Sequence, residues 1–177
     1  MDDQRHHPYE NLQLNIAGHA HYEYSEGARS YVPMHWHGAL ELIYILSGEL
    51  TVETEQRRWQ LHAGQCICIS PYVLHATISL SGNTALLLRI PTEELGDFAP
   101  ETRSRQFIWD VETTNPTMTA AIERVKQKLL QMQHTASSDS PFRDIRMASL
   151  LLEITYLLYE EFSCPVTEGR IFRREKN

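Results

Sequence analysis

Between Leu42 and Ile90 the apolar residues come in short runs, and turn formers separate them. The runs are Leu42-Ile43-Tyr44-Ile45-Leu46, Leu50-Thr51-Val52-Glu53-Thr54, Trp59-Gln60-Leu61, Gln65-Cys66-Ile67-Cys68-Ile69-Ser70 and Ala85-Leu86-Leu87-Leu88-Arg89-Ile90. The breaks are Ser47-Gly48, Ala63-Gly64, Ser70-Pro71, Ser81-Gly82-Asn83 and Ile90-Pro91, with Glu55-Gln56-Arg57-Arg58 as an exposed hairpin end. Runs this short cannot bury a helical face, whereas many short strands at near-regular spacing close into a sandwich or barrel. The chain is therefore expected to be mainly β from residue 1 to about 110. At 177 residues and 42% hydrophobic it can bury a real core. No apolar run reaches the roughly 20 residues a membrane helix needs, and the polar start Met1-Asp2-Asp3-Gln4-Arg5-His6-His7-Pro8 has no signal-peptide character. A cytoplasmic protein is expected.

The pattern changes to a helical one over residues 111–163. Asn115-Pro116 reads as an N-cap followed by proline at the first helical position. Met118, Ile122, Val125, Leu129 and Met132 then form one apolar stripe to about His134. Ser140-Pro141 opens a second helix, expected from Phe142 to about Phe162. It carries two apolar faces: Ile145, Ala148, Leu152, Thr155 and Tyr159 on one, Met147, Leu151, Ile154, Leu158 and Phe162 on the other. A helix apolar on two sides must be covered on two sides. The second set is expected to form a homodimer interface, with loops of a monomer as the alternative cover. Residues 164–177 read as a polar tail or the start of a linker, with Arg170, Arg173, Arg174 and Lys176 solvated.

The chemistry concentrates in His35-Trp36-His37-Gly38-Ala39-Leu40-Glu41. On a strand His35 and His37 share a face, with Trp36 turned away as a packing residue. A fully extended chain would hold Glu41 about 13 Å from His37, but a bend at Gly38-Ala39 would bring it back. His75 follows Ser70-Pro71-Tyr72-Val73-Leu74 on the far side of another strand. Three imidazoles and a carboxylate converging in one interior could hold one divalent ion, Zn, Ni, Fe or Mn, with open positions. The same groups could instead hydrogen-bond an organic effector directly. Tyr44 is wall whose hydroxyl could reach such a ligand. Arg89 could meet an anionic effector or Glu41, or lie at the surface. His19 and His21 form a second pair without a carboxylate at the right spacing. They, with His6 and His7, are expected to be exposed. Cys66 and Cys68 share a strand face and read as buried thiols rather than a metal pair; three cysteines give no disulfide framework. The net charge of −7 argues against autonomous binding to nucleic acid, where phosphate neutralisation supplies most of the affinity.

The spacing of His35, His37, Glu41 and Gly48, followed by Gly64, Pro71 and His75, resembles the two sequence motifs of the cupin superfamily over roughly residues 10–110. The runs Glu41-Leu42-Ile43-Tyr44-Ile45-Leu46-Ser47-Gly48 and Gly64-Gln65-Cys66-Ile67-Cys68-Ile69-Ser70-Pro71 look most like the effector-binding domain of AraC-type transcription regulators. The resemblance implies a double-stranded β-helix (jelly-roll) barrel followed by two antiparallel helices. In that family the barrel senses a small molecule and the helices mediate dimerisation. Cupin enzymes usually carry Gly six residues before the first histidine, where this chain has Arg29, and Pro-x-Gly ahead of the last, where it has Pro71-Tyr72-Val73-Leu74. Both departures favour a regulatory cupin over a metal-dependent dioxygenase or isomerase, which stays as the alternative. DNA would be reached only through helix-turn-helix units, and these 177 residues offer none.

Overall fold

The computed structural model of the chain describes residues 8–95 and 105–166. Its expected features on His6, His7 and the basic residues after 166 lie outside those ranges. Seven strands build the barrel: β1 (His21–Gly27), β2 (Ser30–His35), β3 (Ala39–Thr54), β4 (Arg58–His62), β5 (Cys66–Ile69), β6 (His75–Ser79) and β7 (Asn83–Pro91). All their ladders are antiparallel. One sheet runs β1-β7-β3-β5; the other runs β2-β6-β3-β4.

The two sheets share β3. Sequence reading splits Leu42–Leu46 from Leu50–Thr54 at Ser47-Gly48, but the structure carries one 16-residue strand through both. Its first half pairs with β7 and β5, its second half with β4 and β6. The turn formers bend the strand from one sheet to the other instead of ending it. Gly48 has φ +73°, and a Cβ there would stand 2.3 Å from the Gly82 carbonyl oxygen. Only glycine fits that corner. β1 and β2 were not separable from the polar N-terminal third by periodicity, because β1 alternates only weakly and β2 is mostly exposed.

Alternation sorts β3 into two faces. Ile43, Ile45, Leu50 and Val52 point between the sheets with Leu61, Ile67, Ile69 and Ala85. Leu40 and Leu42 point outward, with Leu86, Leu88, Ile90 and Cys66, and meet the helices there. After α1 (Thr92–Leu95), β8 (Arg105–Phe107) leads into α2 (Pro116–Ala136) and α3 (Arg143–Phe162), and β9 (Ser163–Pro165) closes back on β8.

Asn115 caps α2 as expected, its side chain accepting from the Thr117 and Met118 amides, with Pro116 next. Ser140 does not cap α3; its hydroxyl accepts from the Phe142 amide one turn outside the helix. The α2 stripe is buried at Val125, Leu129 and Met132.

The faces of α3 correct the expected interface. Met147, Leu151, Ile154, Leu158 and Phe162 are buried within the single chain, in one cluster with α2 and the outer barrel face. They are core, so they are not free to meet a second subunit. The face left open carries Phe142, Ile145, Leu152 and Tyr156, 53–71% exposed. Because this cluster spans the barrel and both helices, the expected boundary near residue 110 is not a seam in the core. Trp109 reinforces the junction: its indole donates to the Cys66 carbonyl at 2.9 Å and its ring lies 4.5 Å from Phe162.

Candidate functional site

The polar cluster forms where the two sheets face each other at the start of β3. In one sheet His21, Arg89, Glu41 and Ile69 stand in a row across β1, β7, β3 and β5. In the other, His35 of β2 lies opposite His75 of β6, just past an irregularity between Val32 and His35. The chain leaves β2 at His35, bends at Gly38 and re-enters the barrel wall at Ala39. The bend is held by Thr92, whose amide and hydroxyl both donate to the Gly38 carbonyl at 3.2 Å. That bend delivers Glu41 to the histidines. The approach to His75 is turned by Tyr72, at φ +63°, whose amide donates to the His37 carbonyl at 2.9 Å.

His35, His37, Glu41 and His75 are all buried, His75 completely. One nitrogen from each histidine lies within 4.8 Å of the others. The His35 and His75 rings are 4.2 Å apart between centroids. Glu41 Oε2 stands 3.0 Å from His75 Nε2 and 3.3 Å from His37 Nε2. Its Oε1 accepts from Arg89 Nε at 2.8 Å. Arg89 is thus a member of the site and not a surface residue.

Two backbone carbonyls orient the rings. His35 Nδ1 lies 2.9 Å from the Pro33 carbonyl oxygen, and His75 Nδ1 2.8 Å from that of Val73. A carbonyl can only accept, so both Nδ1 atoms carry the proton and both Nε2 atoms are left to face inward. His35 Nε2, His75 Nε2 and His37 Nδ1 are buried without a hydrogen-bond partner. Inward lone pairs beside a carboxylate repel each other unless a cation stands among them, either added protons or a metal ion. The donor set therefore fits a divalent ion: three imidazoles, two of them with ring orientations fixed from behind, and a carboxylate alongside. Burial opposes ionisation of Glu41, but His37, His75 and the Arg89 guanidinium outweigh it and hold its pKa well below the ordinary carboxylate value.

Sequence reasoning missed Glu10. The segment around Tyr9 makes a parallel bridge to Trp36, with the Glu10 amide donating to the Trp36 carbonyl at 3.0 Å. This lays the Glu10 carboxylate over the cluster, 3.4 Å from His35 Nε2 and 3.6 Å from Arg89 Nη1. The His35 ring beside it lowers the Glu10 pKa, and Glu10 in turn raises that of His35. The bridge is one residue pair between distant segments, so no periodicity announces it.

Three other expectations change. Tyr44 follows alternation to the outer face, where the Lys126 ammonium sits 5.3 Å from its ring centroid, so it does not line the site. His21 is not an exposed terminal residue; it is half-buried on β1, in register with Arg89, with Nδ1 2.6 Å from the Gln13 carbonyl oxygen. His19 is exposed as expected. Cys66 and Cys68 share the helix-facing side of β5, away from the histidines, and burial pushes both thiols up, Cys68 to about 12. An open depression of about 440 Å³ lies among the turns at Gly27, Ser47 and Gly82. It is roughly 20 Å along β3 from Glu41 and offers none of this chemistry.

The family described as AraC-like ligand binding domain matches residues 17–151. The sequence matches no curated protein. Among solved structures the chain is similar to an RmlC-like cupin from Shewanella frigidimarina NCIMB 400, at 21% identity and TM-score 0.39 over 46% of this chain and 72% of that one. It is also similar to KdgF from Halomonas sp., at 17% identity and TM-score 0.39 over 45% and 74%. A third, the DMSP lyase DddQ from Ruegeria pomeroyi DSS-3, gives 30% identity and TM-score 0.36 over 40% and 36%.

Proposed function

Because the chain belongs to the AraC-like ligand-binding domain family, we propose that its barrel is the small-molecule sensor of a cytoplasmic transcription regulator. The observation that carries this reading is the buried cluster of His35, His37, His75 and Glu41, with Arg89 beside it, at one end of an otherwise apolar barrel. Few convergent polar groups in an apolar enclosure are what orient a small ligand. In this reading the three histidines hold one divalent ion (Zn, Ni, Fe or Mn), and the effector binds beside it. When bound, such an ion supplies a Lewis-acid point for an oxygen of the effector.

Occupancy would reach DNA through the helices and through helix-turn-helix units outside these residues. The outer barrel face and α2–α3 share one core, so a shift of β3 or β7 is felt by the helices. A homodimer would form through the open face of α3, at Phe142, Ile145, Leu152 and Tyr156.

The alternative is a metal-dependent cupin enzyme, which would use the same histidines. Against it, both Glu41 oxygens are engaged, Oε1 by Arg89 and Oε2 by His37. A carboxylate tied on both sides is poorly placed to act as a general base. The test is a thermal-shift screen of sugars, amino sugars and aromatic acids on the unmodified chain and on His75→Ala. A sensor gives saturable stabilisation, lost in His75→Ala, with the compound recovered unchanged. Conversion of the compound would favour the enzyme.

A further inference from the structure

Glu10 is the most exposed of the six charged or ionisable groups in the cluster, with its side chain 36% exposed. It marks the place where solvent reaches the site. Its contacts are loose: 3.6 Å to Arg89 Nη1 and 3.4 Å to His35 Nε2, against 2.8 Å for the Glu41–Arg89 bond. Charge-assisted hydrogen bonds close to roughly 2.7–2.9 Å when the partners are free to approach. The Glu10 backbone is held in place by its amide, which donates to the Trp36 carbonyl. Its Oε2 is aimed into the site yet has no hydrogen-bond partner.

We propose that Arg89 forms a carboxylate subsite beside His35, that Glu10 occupies it as a tethered stand-in, and that the effector is a monocarboxylate displacing Glu10. This deepens the sensor reading and rests on it. Arg89 has already committed Nε to Glu41, so its terminal nitrogens are left to offer a ligand, and Nη1 is the one facing Glu10. Charge balance selects the class. Exchanging one carboxylate for another leaves the cluster's charge unchanged, whereas a phosphate dianion adds a negative charge next to buried Glu41.

The test titrates acetate and benzoate, with acetamide, benzamide and inorganic phosphate as controls, into the full chain and into Glu10→Gln at constant ionic strength. Glu10→Gln keeps the backbone bond and the size of a half-exposed side chain, so it should fold. The expected result is saturable binding of both carboxylates, at least tenfold tighter in Glu10→Gln, with a shift of the His35 ring signals by NMR and no binding of the amides. Carboxylate affinity unchanged or weakened in Glu10→Gln, amides binding as well as acids, or phosphate binding more tightly would each overturn it. If neutral compounds still stabilise the chain through His75, the carboxylate subsite fails while the sensor reading stands. If nothing stabilises the chain through His75, the sensor reading fails as well.

Discussion

Glu41 and Arg89 are the residues on which the cluster's integrity depends. A buried carboxylate is tolerated because a guanidinium opposite it on the next strand compensates it and the His37 ring hydrogen-bonds it. Removing either partner leaves an uncompensated buried charge. Glu41→Ala and Arg89→Ala are each expected to lower stability by about 3–5 kcal/mol. Urea denaturation should show the double variant costing much less than the sum, the mark of a coupled pair. Additive losses would mean the two residues do not act on each other. Much of this was legible beforehand: His35, His37, Glu41 and His75 announce themselves through period-two alternation and motif spacing. Arg89 was visible as a charge ending an apolar strand with Glu41, an anionic effector or the surface as its options, and the β3–β7 register selects Glu41. Tyr44 misled because a tyrosine in an apolar run reads the same from either face of a strand.

At the level of elements, β3 and α3 show where local pattern stops being informative. Ser47-Gly48 has the composition of a turn, and only the second sheet explains why the strand continues past it. Gly48→Ala should cost well over about 1 kcal/mol, since φ is positive and the new methyl would strike the Gly82 carbonyl. A calorimetric Tm equal to that of the unmodified chain would contradict the corner. On α3 the sequence offered two apolar faces, and the one assigned to the dimer is the one that α2 and the barrel bury. Leu158→Glu should therefore abolish folding, because it buries a charge in the core. Leu152→Glu should leave the circular dichroism spectrum intact and convert dimers to monomers in sedimentation. A monomeric unmodified chain at tens of micromolar would sink the proposed dimer.

For the whole molecule, charge and architecture point the same way. A chain of net charge −7 is expected to give no discrete complex with operator DNA in a low-salt mobility-shift assay. A sequence-selective shift by these residues alone would overturn the division of labour. The central claim is that His35, His37 and His75 form one binding centre inside the barrel. The most direct measurement is the metal content of the purified chain after incubation with Zn, Ni, Fe or Mn salts and removal of excess, compared with His35→Ala and His75→Ala. The account predicts about one tightly held ion per unmodified chain and none in either variant. No retained ion in the unmodified chain, or equal retention in the variants, would contradict it.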